Sequence, residues 1–222
     1  MVFPFFQKSI VLPSPDTFYC RGCGTCCRLF VVTVSHFDIY RIMDKTGLHP
    51  KEFIQMSESD GKDDKEALTY IHGRKCMALK HLPEEQDACR FLDQDNLCSI
   101  HEAKPGVCKT WPLDFNNQQE MVWIHRHKKV VKEYCAFNSY QKRDQKLLSQ
   151  EIHVYNIERQ LYMEIVSEWN SMFNHQQANS SFLLEATTEH LFQFLLDRRA
   201  SEEEKREQHL EETEYSLKVH GN

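Results

Sequence analysis

Residues 20–27 read Cys20-Arg21-Gly22-Cys23-Gly24-Thr25-Cys26-Cys27, and this stretch decides the character of the first half of the chain. Two residues separate each of the first three cysteines from the next, so a turn of the backbone directs neighbouring thiolates at one point. Gly22 and Gly24 permit the positive φ angles that such a turn often requires. The spacing predicts a metal site, with a redox dithiol of Cys20 and Cys23 as the alternative.

The first three cysteines have the spacing of the bacterial ferredoxin run, whose cysteines bind the irons of a cubane cluster. The fourth differs, because Cys27 directly follows Cys26 where ferredoxins have a Cys-Pro pair three residues on. Two successive side chains do not easily direct their sulfurs at one small ion. We therefore expect Cys26 and Cys27 to serve different centres, or one of them to be only structural.

The composition excludes several classes of protein. The chain has 222 residues, of which 41% are hydrophobic, and a net charge of −6. It can therefore bury a core, and it has no general attraction to nucleic acid or to a membrane surface. No run approaches the roughly 18 apolar residues of a membrane helix. Seven glycines without a Rossmann or phosphate-loop pattern disfavour a conventional nucleotide enzyme.

The cysteines are confined to one part of the chain. All nine lie between Cys20 and Cys135. The first residues lack the basic start and the cleavage site of a secretion signal, so we expect a cytoplasmic protein. In a reducing cytoplasm, closely spaced cysteines more often bind metal or carry redox chemistry than form disulfides.

A second cysteine motif follows at residues 89–112, which read CRFLDQDNLCSIHEAKPGVCKTWP. Together with residues 20–27 it closely resembles the YkgJ-like cysteine-cluster family, also called the CxxCxxCC family and described as a zinc- or iron-chelating domain. The family pattern runs C-x2-C-x2-C-C, a strand and a helix, C-x-F-L, a cysteine followed by I-Y, an R-P pair, another cysteine and an aromatic-Pro pair. Two positions depart from it: His101 replaces the usual tyrosine and Lys104 the usual arginine.

The resemblance covers roughly the first 140 residues and implies a set of metal ligands there. These are Cys20, Cys23, Cys26, Cys27, Cys89, Cys98 and Cys108. The cofactor implied is an iron–sulfur cluster or zinc. Seven thiolates exceed the four of one tetrahedral zinc, which favours an iron–sulfur cluster, two metal centres, or one cluster with a reactive thiol. The roles of Cys76 and Cys135, as ligands or as core residues, stay open.

The sequence gives less information about the activity than about metal binding. Relatives of the family include proteins that resemble flagellin lysine N-methylase, for which cluster-assisted methyl transfer from S-adenosylmethionine has been proposed. Because this sequence has no cofactor signature of its own, S-adenosylmethionine enters by resemblance only. Three functions stay open: a cluster-dependent oxidoreductase or methyltransferase acting on a protein or small molecule, a structural zinc module that binds a partner, and a metal carrier.

Histidines offer weaker candidates for the same site. His101 lies three residues after Cys98, about one helical turn away, and is a candidate ligand or hydrogen-bond donor. His125 and His127 would share one face of a strand, either as a metal-binding pair or as a solvated pair beside two lysines.

We predict an α+β fold of two regions: a small, loop-rich cysteine-cluster module over residues 1–140 and a helical region over 141–222. In the first region, Ser35 with Asp38 marks the start of a helix that Gly47 ends. A short helix follows at Pro50. The remaining predictions for this region are strands at 28–34, 67–71 and 90–92, a loop at 57–66 and a turn at 93–96.

The second region shows helical periodicity. Leu148, Ile152, Tyr155, Arg159, Tyr162, Val166, Trp169 and Phe173 recur at alternating steps of four and three. A polar break at 174–181 separates a second helix that contains Leu183 and Leu191. Ser201 with Glu204 has the pattern of a capping box and predicts a third, highly charged and solvated helix from about 202 to 218.

Overall fold

A computed structural model of the chain describes residues 24–59, 64–70, 73–82, 88–111, 113–115, 121–123, 145–175 and 183–220. These form small antiparallel sheets and short helices, followed by two long helices, so the fold is α+β, loop-rich and helical at its C-terminal end, as predicted. In chain order the elements are α1 (Thr25–Leu29), α2 (His36–Thr46), α3 (Pro50–Phe53), β1 (Ile54–Glu58), a 3-10 turn (Asp64–Glu66), β2 (Leu68–Tyr70), β3 (Gly73–Leu79), β4 (His81–Leu82), β5 (Ala88–Cys89), a 3-10 turn (His101–Ala103), α4 (Gly106–Thr110), β6 (Leu113–Phe115), β7 (Met121–Trp123), α5 (Gln145–His175) and α6 (Leu183–His220).

The largest described sheet has three strands in the order β1-β3-β2, with both outer strands antiparallel to β3. The sequence patterns did not predict β3, and the loop predicted at 57–66 begins inside β1. The strand predicted at 28–34 was wrong for its first residues, because they belong to α1. Its end does follow the sheet: Thr33 bridges Ala78, and the Val34 amide donates to the Met77 carbonyl at 3.0 Å.

The local signals of α2 are confirmed. The Ser35 side chain accepts from the Asp38 amide while the Asp38 carboxylate accepts from the Ser35 amide, a reciprocal capping box. Gly47, at φ 69°, ends the helix in the left-handed conformation that favours glycine. The short helix at Pro50 is confirmed as α3, and β2 lies within the predicted strand at 67–71.

The two long helices follow the predicted periodicity, with one correction. Leu148, Ile152 and Val166 of α5 are buried, as the stripe predicted. The start predicted at Ser201 is wrong, since α6 runs without a break from 183 to 220 and the Ser201 hydroxyl donates to the Arg198 carbonyl. Glu202 is only 2% exposed, so tertiary packing continues the helix through the position where the local pattern predicted a new start.

The main hydrophobic core joins both parts of the chain. It combines Val34, Ile39, Phe53, Leu68, Met77, Phe91 and Ile100 with Tyr162, Val166, Trp169, Leu191 and Phe192. The expected boundary at 140 lies outside the described residues. Among the helices that are described, none combines the length and the apolar character of a membrane span.

Candidate metal centre

The end of the first motif lies on α1. Gly24 precedes this helix at φ 70°, and a side chain there would also press on Arg28 and Leu92, at 2.7 and 3.1 Å. Cys26 and Cys27 follow on α1 with partly buried side chains, and their Sγ atoms are 3.9 Å apart. The two sulfurs therefore lie close together, although we expected them to serve different centres or one of them to be only structural. Cys20 and Cys23 lie outside the described residues.

The second motif is folded against the first. Cys89 ends β5, against which α1 packs, and Cys98 bridges Leu92 after the turn at 93–96. This turn is confirmed: the Asp93 carboxylate accepts from the amides of Asp95 and Leu97. The Arg28 guanidinium donates to the side chain of Asn96 at 2.6 Å and so ties α1 to the turn.

Cys108 is supplied by α4, a single short helix that packs against α5. The α4 helix begins directly after Pro105, whose fixed φ suits the start of a helix. The Cys108 amide donates to the Pro105 carbonyl at 2.9 Å within this turn. The third cysteine of the second motif is therefore held on a short helix between the cysteine region and the long helices.

The Cys27 thiol is more acidic than the thiols of Cys89, Cys98 and Cys108. Its pKa is lowered from 9.0 to about 7, chiefly by a hydrogen bond from Cys26, and further by the positive charges of Arg28 and Lys104. Burial acts in the opposite direction but does not prevail. Near neutral pH, Cys27 is therefore already in part the thiolate that a metal or an electrophile requires.

The other three thiols favour the neutral form in the absence of metal. Burial raises the pKa of Cys89 to about 11, and it also raises the pKa values of Cys98 and Cys108. The negative charge of Cys27 adds to the shift at all three positions, and the charge of Cys98 adds to it at Cys89 and Cys108. Four cysteines from both motifs, Cys27, Cys89, Cys98 and Cys108, are therefore close enough to influence one another electrostatically. We call them the thiol group.

Of the remaining candidates, Cys76 lies on β3, the His101 amide donates to the Cys98 carbonyl at 3.1 Å, and the others are outside the described residues. Cys76, on β3, has its sulfur 4.0 Å from the Glu66 carbonyl oxygen. The exposed imidazole of His101 lies 3.4 Å from the Lys104 ammonium, which lowers its pKa. Cys135, His125 and His127 are not among the described residues.

Two positions near the thiols were not predicted from the sequence. Arg28 contributes both a charge near Cys27 and the bond to Asn96, and its only sequence signal is that it follows Cys27 directly. Asp38 was recognised as a capping residue, yet it also accepts a hydrogen bond from the Gly106 amide 68 residues away. That second contact has no local sequence signal.

The donor chemistry fits a thiophilic metal. All six described cysteines are free, and thiolates are ligands for zinc and for iron–sulfur clusters. Over the described ranges, however, no three Cys, His, Asp or Glu side chains form a group that could hold a metal ion. The described thiols are thus neighbours without a closed coordination shell, and the sequence assigns two further thiols, Cys20 and Cys23, to the same site.

Comparison with known proteins agrees with this chemistry. Residues 19–136 match the family model CxxCxxCC, whose description is "Putative zinc- or iron-chelating domain". The matched range contains both cysteine motifs and every described thiol. No curated protein and no solved structure matches the chain.

Proposed function

Because the chain belongs to the CxxCxxCC family, we propose that residues 1–140 form a metal-chelating module whose favoured content is an iron–sulfur cluster. The cytoplasm, which keeps thiols reduced, is the compartment we propose for it. The proposed ligands are drawn from Cys20, Cys23, Cys26, Cys27, Cys89, Cys98 and Cys108.

One observation carries this proposal. Cys27 of the first motif and Cys89, Cys98 and Cys108 of the second are 62 to 81 residues apart along the chain, yet their charges act on one another. Free thiols that only fill a core have no need to gather in this way. A shared metal centre would explain why these thiols lie near one another, since coordination offsets the cost of holding several thiolates together.

The number of thiols favours iron over a single zinc. A structural zinc takes four ligands, whereas seven cysteines of the two motifs are available. When bound, a cluster would supply electron transfer or redox chemistry. The chain itself would contribute the thiolates, the cations Arg28 and Lys104 that stabilise negative charge beside Cys27, and the apolar residues packed around Cys89.

Zinc is the second candidate, and the distance between Cys26 and Cys27 favours it. Two thiolates of one tetrahedral zinc, each about 2.3 Å from the ion, lie about 3.8 Å apart. The Sγ atoms of Cys26 and Cys27 are separated by 3.9 Å. In this case the module would hold a structural zinc for partner binding, or carry the metal to another protein.

Anaerobic purification with measurement of iron, acid-labile sulfide and zinc tests the proposal. We expect coloured protein with matching iron and sulfide, and at least half of this metal should be lost in Cys108→Ser. The matched control is Cys76→Ser, which alters a partly buried cysteine outside the thiol group and should keep the metal. Colourless protein with about one zinc would overturn the cluster in favour of zinc. Protein without either metal would overturn metal binding itself.

A further inference from the structure

Asp38 is a buried carboxylate at the junction of three helices. It lies on α2 and is only 3% exposed. Its Oδ1 accepts from the Gly106 amide at 2.8 Å, and its Oδ2 accepts from the Ser35 amide at 2.8 Å. The Arg41 guanidinium neutralises it, with Nη2 2.5 Å from Oδ1. A charge buried this deeply is expected to have such partners.

The bond to Gly106 fixes the helix that supplies Cys108. Gly106 is the first residue of α4, and Cys108 follows two residues later. On its other side, Gly106 meets the ring of Tyr155 from α5: a Cβ atom at Gly106 would be 2.6 Å from Tyr155 Cδ2. Asp38 of α2 and Tyr155 of α5 thus both contact the first residue of α4, and the position of Cys108 depends on both.

Only a carboxylate satisfies both backbone amides at this position. Each of the two oxygens of Asp38 accepts from one backbone amide, that of Gly106 or that of Ser35, beside a side-chain donor from Arg41 or Ser35. An asparagine has one acceptor oxygen and one NH2 group, so one of these donors would face another donor. A buried donor left in this way loses its partner, which disfavours the native position of the segment that carries it.

The same carboxylate begins a partly buried chain of ion pairs to the long helices. Arg41 also donates to Glu158 of α5 at 2.6 Å, and Arg206 of α6 donates to the same Glu158 oxygen at 2.7 Å. Glu158 is as buried as Asp38, and its carboxylate accepts from Arg41 and Arg206. The two carboxylates therefore share one network and both act on the charge of Lys109 in α4, whereas the described hydrogen bond to the backbone of α4 is made by Asp38.

We propose that Asp38 is a positioning residue for the metal centre: it holds α4, and with it Cys108, where this thiol can serve as a ligand of that centre. This inference rests on the proposed metal-binding function. Hydrogen-bonded groups behind metal ligands typically change metal affinity 10- to 100-fold when they are removed.

The test compares Asp38→Asn with two controls that leave the hydrogen bond between Asp38 and Gly106 in place. Glu158→Gln makes the same carboxylate-to-amide change in the same network, and Leu161→Ala lowers stability through the apolar core. Each protein is purified with its own metal, and the release of iron or zinc to excess chelator is timed beside a thermal unfolding curve. We expect release to be at least about tenfold faster in Asp38→Asn. The two controls should change it no more than about twofold, even where their loss of stability is as large.

Equal release rates in Asp38→Asn and in a control of equal stability would overturn the inference, because they would show a purely structural role. A wild-type protein that holds neither metal would instead overturn the proposed function, so the two failures are distinct.

If Asp38→Asn does not fold, Gly106→Ala tests the same point from the other side of α4. Its methyl group would press on Tyr155 and displace the helix. Metal release should become faster, and adding Tyr155→Ala should restore the slow rate. Unchanged release in Gly106→Ala, or no restoration in the double variant, would contradict the proposed role of α4.

Discussion

The cysteine region and the pair of long helices are built in opposite ways. Over the described part of the cysteine region the longest element is α2, with 11 residues, whereas α5 and α6 have 31 and 38. The first region contains every cysteine of the chain, and residues 136–222 contain none. Short elements bury little surface each, so we expect the cysteine region to gain additional stability from a bound metal, while the long helices rely on the apolar side chains that they bury. Both regions share the main apolar core, and we expect the proposed metal to add stability chiefly to the cysteine region.

The largest expected effect separates the regions by removing the metal. Zinc-finger peptides draw about 10–16 kcal/mol from their ion, and even about 5 kcal/mol here would lower the melting temperature by 10 °C or more. Hydrogen exchange should rise most in residues 88–111 and least in residues 183–205. Restoring the metal should reverse the increase in hydrogen exchange. Uniform loss of protection along the chain would show that the regions do not differ in their dependence on metal.

Truncation of the helix core is the complementary change. Leu161 is 1% exposed and packs with Phe37 and Tyr40, so Leu161→Ala should cost about 2–5 kcal/mol in the free energy of unfolding. Leu147→Ala, on the same helix but 51% exposed, should stay within about 0.5 kcal/mol. Urea unfolding gives both values. Metal content per folded protein should be unchanged in both variants, and a loss of metal in Leu161→Ala would argue against separate sources of stability.

The pH dependence of the metal-free protein sharpens the comparison within the thiol group. The pKa of Cys27 is lowered to about 7, so its stabilising contribution is present above pH 9, the unfolded value, and is lost as the pH falls through 7. The pKa of Cys89 is raised to about 11, so its contribution is present below pH 9 and is lost as the pH rises through 11. The rise in the pKa of Cys89 from 9.0 to about 11 corresponds to roughly 3 kcal/mol in the free energy of unfolding.

Wild-type stability should therefore exceed that of Cys27→Ser increasingly from pH 7 to 9. Its advantage over Cys89→Ser should shrink from pH 9 to 11. Urea unfolding of the metal-free proteins at each pH measures both differences. Differences that are independent of pH would mean that neither thiol titrates differently in the folded and unfolded chain.

The smallest expected effect concerns the surface of the helical pair. Arg198 of α6 donates to Glu168 of α5 at 2.5 Å, but Glu168 is 47% exposed. Exposed ion pairs of this kind contribute little, so Glu168→Gln should cost about 0.5 kcal/mol or less and leave metal release unchanged. Added salt should reduce the difference from wild type further. A cost above about 2 kcal/mol would show that surface charge, and not the apolar stripe, holds α5 to α6.

The predictions from the sequence were correct where the interacting residues are close together in the chain, and they failed where the partners are distant. The capping box of Ser35 and Asp38 was predicted, since all its groups lie within four residues. The central strand β3 was not predicted, because its role depends on β1 and β2 as partners. The pattern at Ser201 was misread, because the buried contact of Glu202 with His36 outweighs a local capping preference. The metal ligands assigned from the two motifs remain predictions.

The sequence alone determined the chemistry of this protein and the starts of several of its elements: thiolates at metal-binding spacing, a capped α2, and an apolar stripe along α5. These depend on neighbours in the chain, so the order of residues is enough to specify them. Tertiary structure alone decided that Cys27 comes within electrostatic range of Cys89, Cys98 and Cys108, that α6 continues past residue 201, and that Asp38 reaches Gly106. Each of these joins groups distant in sequence, and only burial in a common core determines which of the possible long-range contacts forms.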